Sequence, residues 1–546
     1  MKQWNVLNSK KVLKENLIDE LLKNRNIDSD IKKTFLNPSK VNDLLKNLEP
    51  EFKNSLVTAR EIINSYIEQN LPILIYGDYD ADGVCATAIL YNTIKNELKY
   101  ENTFFFIPNR FDFGYGISEN ALDKCFEMLN RPKKALLITV DTGITAVKEL
   151  KHASKLNFET IVTDHHQKPS ELPEVSCIVW NDQVVGSGIS YILARGLGTK
   201  DPTNLGLCAI ATVADLQPLL DLNRSIVKFG LEILNSTPPL GIKKLMEISG
   251  RKDQKITSFD LGWVLGPRIN AAGRIFDATE SLNLLIEKDE EIISKLAVRL
   301  DEVNRIRQDK TEEMYELTLI EGEIPNVIIV ENEKYHEGII GIVASRIVQK
   351  YYRPAIVISV KGDVGKGSVR SVDGVDIISL LRNFEDRFEN LGGHKAAAGF
   401  TIKMSKLKKF KKDFEKFSEK EISAELLVPK LNIDLELDFN LIDLSLAEEI
   451  NYLEPFGIGN SEPVFCTKNV GIVSATKIGK SQNHLNLGLF KNGTTLKGLL
   501  FNFDPDLNID IGDKVDIAYT IKINSFNGKR SVDLIMKDLK IDSKNS

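Results

Sequence analysis

The sequence predicts an α/β protein with a parallel-sheet lobe, a second and smaller α/β lobe reached through a long helix, and a small β-barrel at the end. Three observations carry this reading. Short apolar runs alternate with helix-forming stretches between residues 71 and 180, the pattern of a parallel sheet covered on both faces. From Glu287 to Glu321, Ile292, Leu296, Leu300, Val303 and Ile306 recur at helical spacing, and a second alternation begins at Val327. After Pro455 the texture turns to short alternating strands with glycine-containing turns.

Taken in order, residues 1–70 read as helical, with Leu13, Leu17, Leu21 and Leu22 at helical spacing and Leu56 to Tyr66 as a second amphipathic segment. The first sheet is expected from Ile73–Tyr76, Phe104–Ile107, Leu136–Val140, Thr160–Thr163 and Cys177–Val179, with helices near 84–96, 118–129 and 144–156. Residues 204–236 are expected to be helical. In the second lobe, Val327–Val330 and Ile356–Ser359 read as strands and Ile340–Lys350 as a helix. A basic helix follows from Ser405 to Lys420; Leu407, Phe410, Phe414 and Phe417 share one face, so its lysines form a solvated face. Barrel strands are expected at Asn483–Leu489, Leu496–Phe501 and Lys514–Ile521. The expected divisions fall at 1–65 (a helical segment), 66–235, 236–325 (a helical connector), 326–425 and 426–546.

Composition narrows the function. The chain is 42% hydrophobic and 27% charged, as ordinary globular proteins are, and has no apolar run long enough to span a membrane, which predicts a cytoplasmic protein. Five scattered cysteines without a Cys-x-x-Cys pair support neither a zinc site nor a disulfide framework and are expected to be buried thiols. A net charge of −6 excludes a globally basic nucleic-acid binder but not a local basic groove. Residues 455–540 carry 11 Lys and Arg against 8 Asp and Glu, a positive stretch in an acidic chain.

The chemistry begins where the first strand ends. Residues 78–83 read Asp-Tyr-Asp-Ala-Asp-Gly, and three carboxylates on one short loop repel one another unless a cation neutralises them. Two later strands end likewise, in Asp141-Thr142-Gly143 and in Asp164-His165-His166, and Asp215 follows on a helical segment. Neighbouring strand ends in a parallel sheet share one crevice, so these groups converge. Several carboxylates with one or two imidazoles suit Mn²⁺ or Mg²⁺, and two such ions would suit a phosphodiester hydrolase.

These motifs resemble the DHH phosphoesterase superfamily. The series Leu265–Arg274, His336–Arg346, Gly367–Ser371 and Leu391–His394 resembles, within it, the RecJ family of exonucleases, over residues 20–540. The resemblance implies two-metal hydrolysis of single-stranded DNA from its 5′ end to mononucleotides, in repair and recombination. It implies Asp80, Asp82, Asp141, His165 and Asp215 as metal ligands, with Asp141 shared between the ions. His166 joins the catalytic set, and Asp78 and Asp164 support it. Ser368, Arg370, Gly392, Gly393 and His394 match positions that hold substrate phosphate, and Arg268, Arg274 and Asn304 are further candidates for DNA or contacts between the lobes. One departure stands out: Tyr76 occupies a place where many superfamily members have a His ligand, which puts the first metal in question.

The terminal segment resembles an OB fold. Lys477, Lys480, Lys491, Lys497, Lys522, Lys529 and Arg530, among Phe501, Phe503 and Phe526, suit a single-strand groove, although any one of these Phe residues is more simply barrel core. A single-strand DNA-binding protein and a RecQ-type helicase are the expected partners of a monomer. Two other functions fit the same residues: a phosphodiesterase for short oligonucleotides or cyclic dinucleotides, and a DNA-binding scaffold with a degenerate site.

Overall fold

The computed structural model describes residues 2–9, 12–504, 507 and 509–541. They form two compact units, one of residues 40–217 and 225–428 and the other of the described residues within 1–39, 218–224 and 429–546.

The first unit holds a five-stranded parallel sheet in the order Thr103–Phe106, Ile73–Gly77, Ala135–Val140, Phe158–Asp164, Cys177–Trp180. Its central strands are buried on both faces, so they read as continuous apolar runs rather than as alternation. The chain order reverses between Ile73–Gly77 and Ala135–Val140, the point where doubly wound sheets open a crevice at their carboxyl ends. Helix Ala81–Tyr91 leaves that crevice with every residue from Ala81 to Leu90 buried. Helix Thr203–Ala214 ends at Asp215.

A second sheet of this unit runs Phe388–His394, Ala397–Lys403, Val364–Arg370, Ala355–Lys361, Ile328–Asn332, antiparallel except for its last pair. Sequence reading placed only the last two strands, because the other three are rich in glycine and alanine and lack β-branched alternation. Helix Glu290–Glu316 packs against helices Gly266–Ile275 and Ile340–Tyr351. It buries Ile293, Ala297, Leu300 and Val303, while Ile292 is 45% exposed, so its apolar stripe starts one residue later than expected. In helix Met404–Glu421, Leu407, Phe410 and Phe414 are buried, in keeping with a solvated lysine face.

The second unit is a seven-stranded sheet. Five strands, Phe465–Ile478, His484–Lys491, Thr494–Leu500, Lys529–Ile541 and Lys514–Phe526, close into a barrel through pairing of the first with the last. Residues Gln3–Asn8, expected to be helical, instead add a strand parallel to Lys430–Glu436. Trp4 and Val6 alternate with exposed neighbours and pack on Ile433, Cys466 and Ala518, and that period of two outweighs helix propensity. Leu17, Leu21 and Phe35, on two short helices, share the barrel core.

All five cysteines are buried. Among the described residues no helix is long and apolar enough to cross a membrane.

Candidate metal centre and phosphate cavity

The three strand ends converge as expected, and each carboxylate is held by a different device. Asp80 caps helix Ala81–Tyr91, its Oδ1 accepting from the amides of Asp82 (2.9 Å) and Gly83 (3.1 Å). Asp82, in the first turn of that helix and 2% exposed, accepts from the amides of Gly186 (2.7 Å) and Ser187 (2.8 Å) at the start of helix Gly186–Leu197. That helix N-terminus favours the anion. Gly83 must be glycine, since a Cβ there would lie 2.5 Å from the Asp78 carbonyl oxygen. Asp164 accepts from the Ile144 amide (2.9 Å) and from Nδ1 of His166 (2.8 Å).

Ligand atoms fall into three groups, each with members within 4.8 Å of one another: Asp78, Asp80 and Asp141; Asp82, His165 and Asp215; and Asp141, His165 and His166. Asp141 is 1% exposed and adopts a left-handed backbone, φ 60°, which Asp tolerates better than most residues. His165 Nε2 lies 3.1 Å from Asp141 Oδ1 but out of line for a hydrogen bond, so that buried oxygen has no hydrogen-bond partner among the described residues. An orphaned carboxylate oxygen among hard oxygen and imidazole donors fits Mn²⁺ or Mg²⁺.

Electrostatics point the same way. Burial, reinforced by Asp80, holds the Asp78 carboxyl up to about 8, and burial with Asp82 does the same to Asp215, to about 8. Asp80 and Asp141 are raised by burial and by Asp82. Burial also pushes Asp164 up, but hydrogen bonds from His166 and Ile144 outweigh it and leave the carboxyl below its usual value. For His166 burial disfavours the cation, yet Asp164 prevails and lifts it to about 9.

Carboxyls raised by folding contribute stability below their unfolded pKa of about 4 and lose it as pH climbs through the folded value. For Asp78 and Asp215 that loss is complete only above about 8, so the cation-free protein weakens between these limits. The rise in melting temperature on adding Mn²⁺ is therefore expected to be larger at pH 8 than at pH 6, as differential scanning fluorimetry would show; an equal rise would mean the cation does not meet these carboxylates.

Tyr76 turns away from this cluster. Its hydroxyl donates to the Gly116 carbonyl oxygen (3.1 Å), its ring packs against Phe106, and burial raises the phenol, so it stays neutral. Asp78, expected only as support, offers an oxygen to the first group instead. Tyr76→Phe is expected to cost about 1 kcal/mol of stability, the value of one buried hydrogen bond, and to leave the Mn²⁺ titration unchanged; weaker Mn²⁺ binding would return the phenol to the site.

Beside the cluster lies a cavity of about 450 Å³ lined by Tyr79, Arg110, Tyr115, Arg274, Ser368 and Arg370, with Glu337, Lys366 and Gly392 also on its wall. Arg370 Nη1 donates to Ser368 Oγ (3.2 Å), and burial lowers the pKa of Arg370 and of Arg274. Tyr115 links cavity to cluster, its hydroxyl 3.3 Å from His166 Nε2. Arg110 stands over the Tyr79 ring at 4.8 Å. Sequence reading missed Arg110, which no motif surrounds.

Other candidates lie elsewhere. Gly393 and His394 sit on the hairpin but not on the cavity lining; Gly393 has φ 147°, and a Cβ there would lie 2.5 Å from the Ala397 carbonyl oxygen. Arg268 is tied to Asp301 (2.8 Å) and Asn304 accepts from Arg307 (3.0 Å), and neither is on the cavity lining. On the barrel, Lys497 pairs with Asp533 (3.4 Å), Arg530 with Glu448 (2.8 Å), and Lys477 lies over Phe503 at 5.6 Å. Lys480 and Lys529 are exposed with no ion pair among the described residues. Phe501 is 47% exposed rather than core, and the Phe526 side chain lies outside the described residues.

Comparison with known proteins agrees with this layout. Residues 72–212 match the DHH family N-terminal domain, 325–420 the DHHA1 domain and 433–538 the RecJ OB domain. The single-stranded-DNA-specific exonuclease RecJ of Bacillus subtilis is 34% identical over 507 residues, 90% of this chain; the chain spans 64% of that relative's length. The protein of the same name from Haemophilus influenzae is 30% identical over 530 residues, covering 88% of this chain and 90% of that one. The crystal structure of RecJ in complex with Mn²⁺ from Thermus thermophilus superposes with a TM-score of 0.82 at 26% identity, over 98% of this chain and 79% of that one. On fold, motifs and relatives together, this chain belongs to the RecJ family of DHH phosphoesterases.

Proposed function

We propose that this chain is a metal-dependent exonuclease that hydrolyses single-stranded DNA from the 5′ end to mononucleotides, in DNA repair and recombination. The observation that carries the reading is the orphaned Asp141 oxygen inside a buried carboxylate cluster beside a cationic cavity. Relatives of 30% identity or more are single-stranded-DNA-specific exonucleases, and solved relatives hold Mn²⁺ or Mg²⁺.

Asp78, Asp80 and Asp141 would hold one ion and Asp82, His165 and Asp215 the other, with Asp141 between them. Bound, these ions supply charge neutralisation at the phosphodiester and activation of water. The residues of the chain do the rest. Arg370, Ser368, Arg110 and Arg274 receive the terminal phosphate and set polarity. His166, whose Nδ1 is held by Asp164, would give a proton from Nε2 to the departing 3′ oxygen. Residues 66–235 form the catalytic division, 326–425 the phosphate-binding one and 426–546 the OB-like one, after a segment of 1–65 and a connector of 236–325. A single-strand DNA-binding protein and a RecQ-type helicase are the partners we assign to a cytoplasmic monomer.

The test uses 5′-labelled single-stranded DNA of tens of nucleotides with Mn²⁺, run beside dinucleotides. Release of labelled mononucleotide is expected. Survival of the long strand while dinucleotides are cleaved would sink the exonuclease reading in favour of a small-substrate phosphodiesterase.

A further inference from the structure

Two large aromatic rings stand unprotected on the turn that packs against the end of the helix preceding Asp215. Phe259 and Trp263 are 56% and 69% exposed, and they stack on each other with centroids 6.2 Å apart and planes at 21°. Their segment is built of Ser258–Asp260 and a π-type turn, Leu261–Leu265, whose Leu261, Val264 and Leu265 are buried. The turn is thus anchored by its inner face while the residues at 259 and 263, four apart, share the outer one.

What anchors it matters more. A Cβ on Gly262 would lie 3.3 Å from Val213, and one on Gly266 3.2 Å from the Ala214 Cβ, so the turn presses on the end of the helix that delivers Asp215. It continues directly into helix Gly266–Ile275. There Asn270 accepts from the Ala81 amide (2.8 Å), and Arg274 lines the phosphate cavity. The aromatic pair is therefore held between the helices that carry Asp215 and Arg274.

Charge selects the occupant. Arg251 lies 5.9 Å from the Phe259 ring, with its Nε 2.8 Å from Asp260 Oδ1. Lys252 and Lys255, in the same loop, are exposed and have no ion-pair partner among the described residues. Against these three cations stand exposed Asp253 and buried Asp260, the latter also engaged by Thr257. Exposed aromatic faces flanked by unpaired lysines fit a polyanion that carries flat rings, and stacking on them tolerates any base.

We propose that Phe259 and Trp263 are a stacking platform for bases of the single strand whose end lies in the metal centre. The inference rests on the exonuclease reading above. The platform acts on strands long enough to span from the cluster to the rings and not on dinucleotides.

The experiment measures cleavage and binding separately. For Phe259→Ala with Trp263→Ala, the ratio of kcat/KM on an oligothymidylate of about 30 nucleotides to that on a dinucleotide is expected to fall about 10- to 100-fold. Trp263→Tyr, which keeps a ring, should restore most of it. Oligothymidylate should also quench the tryptophan fluorescence of the wild type more than that of Trp263→Phe, a readout that needs no turnover. Wild type that binds and quenches but cleaves neither substrate would refute the exonuclease reading and leave the platform standing. An unchanged ratio with no Trp263-dependent quenching overturns the platform. So does quenching that follows protein concentration without DNA, which would make the rings a contact between copies.

Discussion

Replacing Asp141 with Ala is expected to lower strand cleavage by at least about 1,000-fold, equal to about 4 kcal/mol of barrier, while single-strand binding stays within about twofold. The size follows from position. Asp141 belongs to two of the three groups of candidate ligands, and its Oδ1 is the buried oxygen of the cluster without a hydrogen bond. The left-handed backbone at this residue, φ 60°, would strain an alanine. Asp141→Asn is therefore the companion variant, because Asn tolerates that conformation and removes only the charge. Burial and repulsion from Asp82 raise the Asp141 carboxyl, so losing its charge relieves the metal-free protein. Asp141→Asn is accordingly expected to melt no lower than wild type in chelator, yet to gain less from Mn²⁺. Gel assays with filter binding read the first pair of outcomes and thermal melts the second. Turnover that survives either substitution removes the metal mechanism.

The second large effect comes from a residue with no side chain. Gly186→Ala is expected to lower kcat by about 100-fold or more and to cost about 1–3 kcal/mol of stability. A Cβ at Gly186 would lie 2.6 Å from the Asp141 Cβ and 2.8 Å from its Cα, and neither atom can swing aside as a flexible side chain does. The helix start must retreat, and its amides at Gly186 and Ser187 hold both oxygens of Asp82. One methyl group thus displaces members of both proposed ion sites. Steady-state kinetics with Mn²⁺ titration and urea unfolding would check this, and a variant with wild-type kcat would show that this close packing does not place the carboxylates.

Much of this was legible in the sequence, for a physical reason. Buried parallel strands must be apolar throughout, so Ile73–Gly77, Ala135–Val140 and Phe158–Asp164 announce themselves, and Asp78, Asp141 and Asp164 mark where each one ends. What escaped reading has weak local signal. Strand Val364–Arg370 and the hairpin Phe388–Lys403 hold Gly365, Gly367, Gly392, Gly393 and Gly399, which leave room for a cavity but carry no strand periodicity. Arg110 and the amides of Gly186 and Ser187 act through tertiary placement alone. Tyr76 is the converse case: a phenol at a place where many superfamily members have a His ligand put the first metal in question, and its hydrogen bond to Gly116 directs it into the core.

Helix Ala81–Tyr91 carries Asp82 on a segment with no solvent-facing side between Ala81 and Leu90. Amides in such a segment exchange with deuterium only when the surrounding lobe opens as a whole. Asp82 therefore cannot loosen by local fraying, and its place in the acidic cluster persists for as long as the sheet beneath it stays folded.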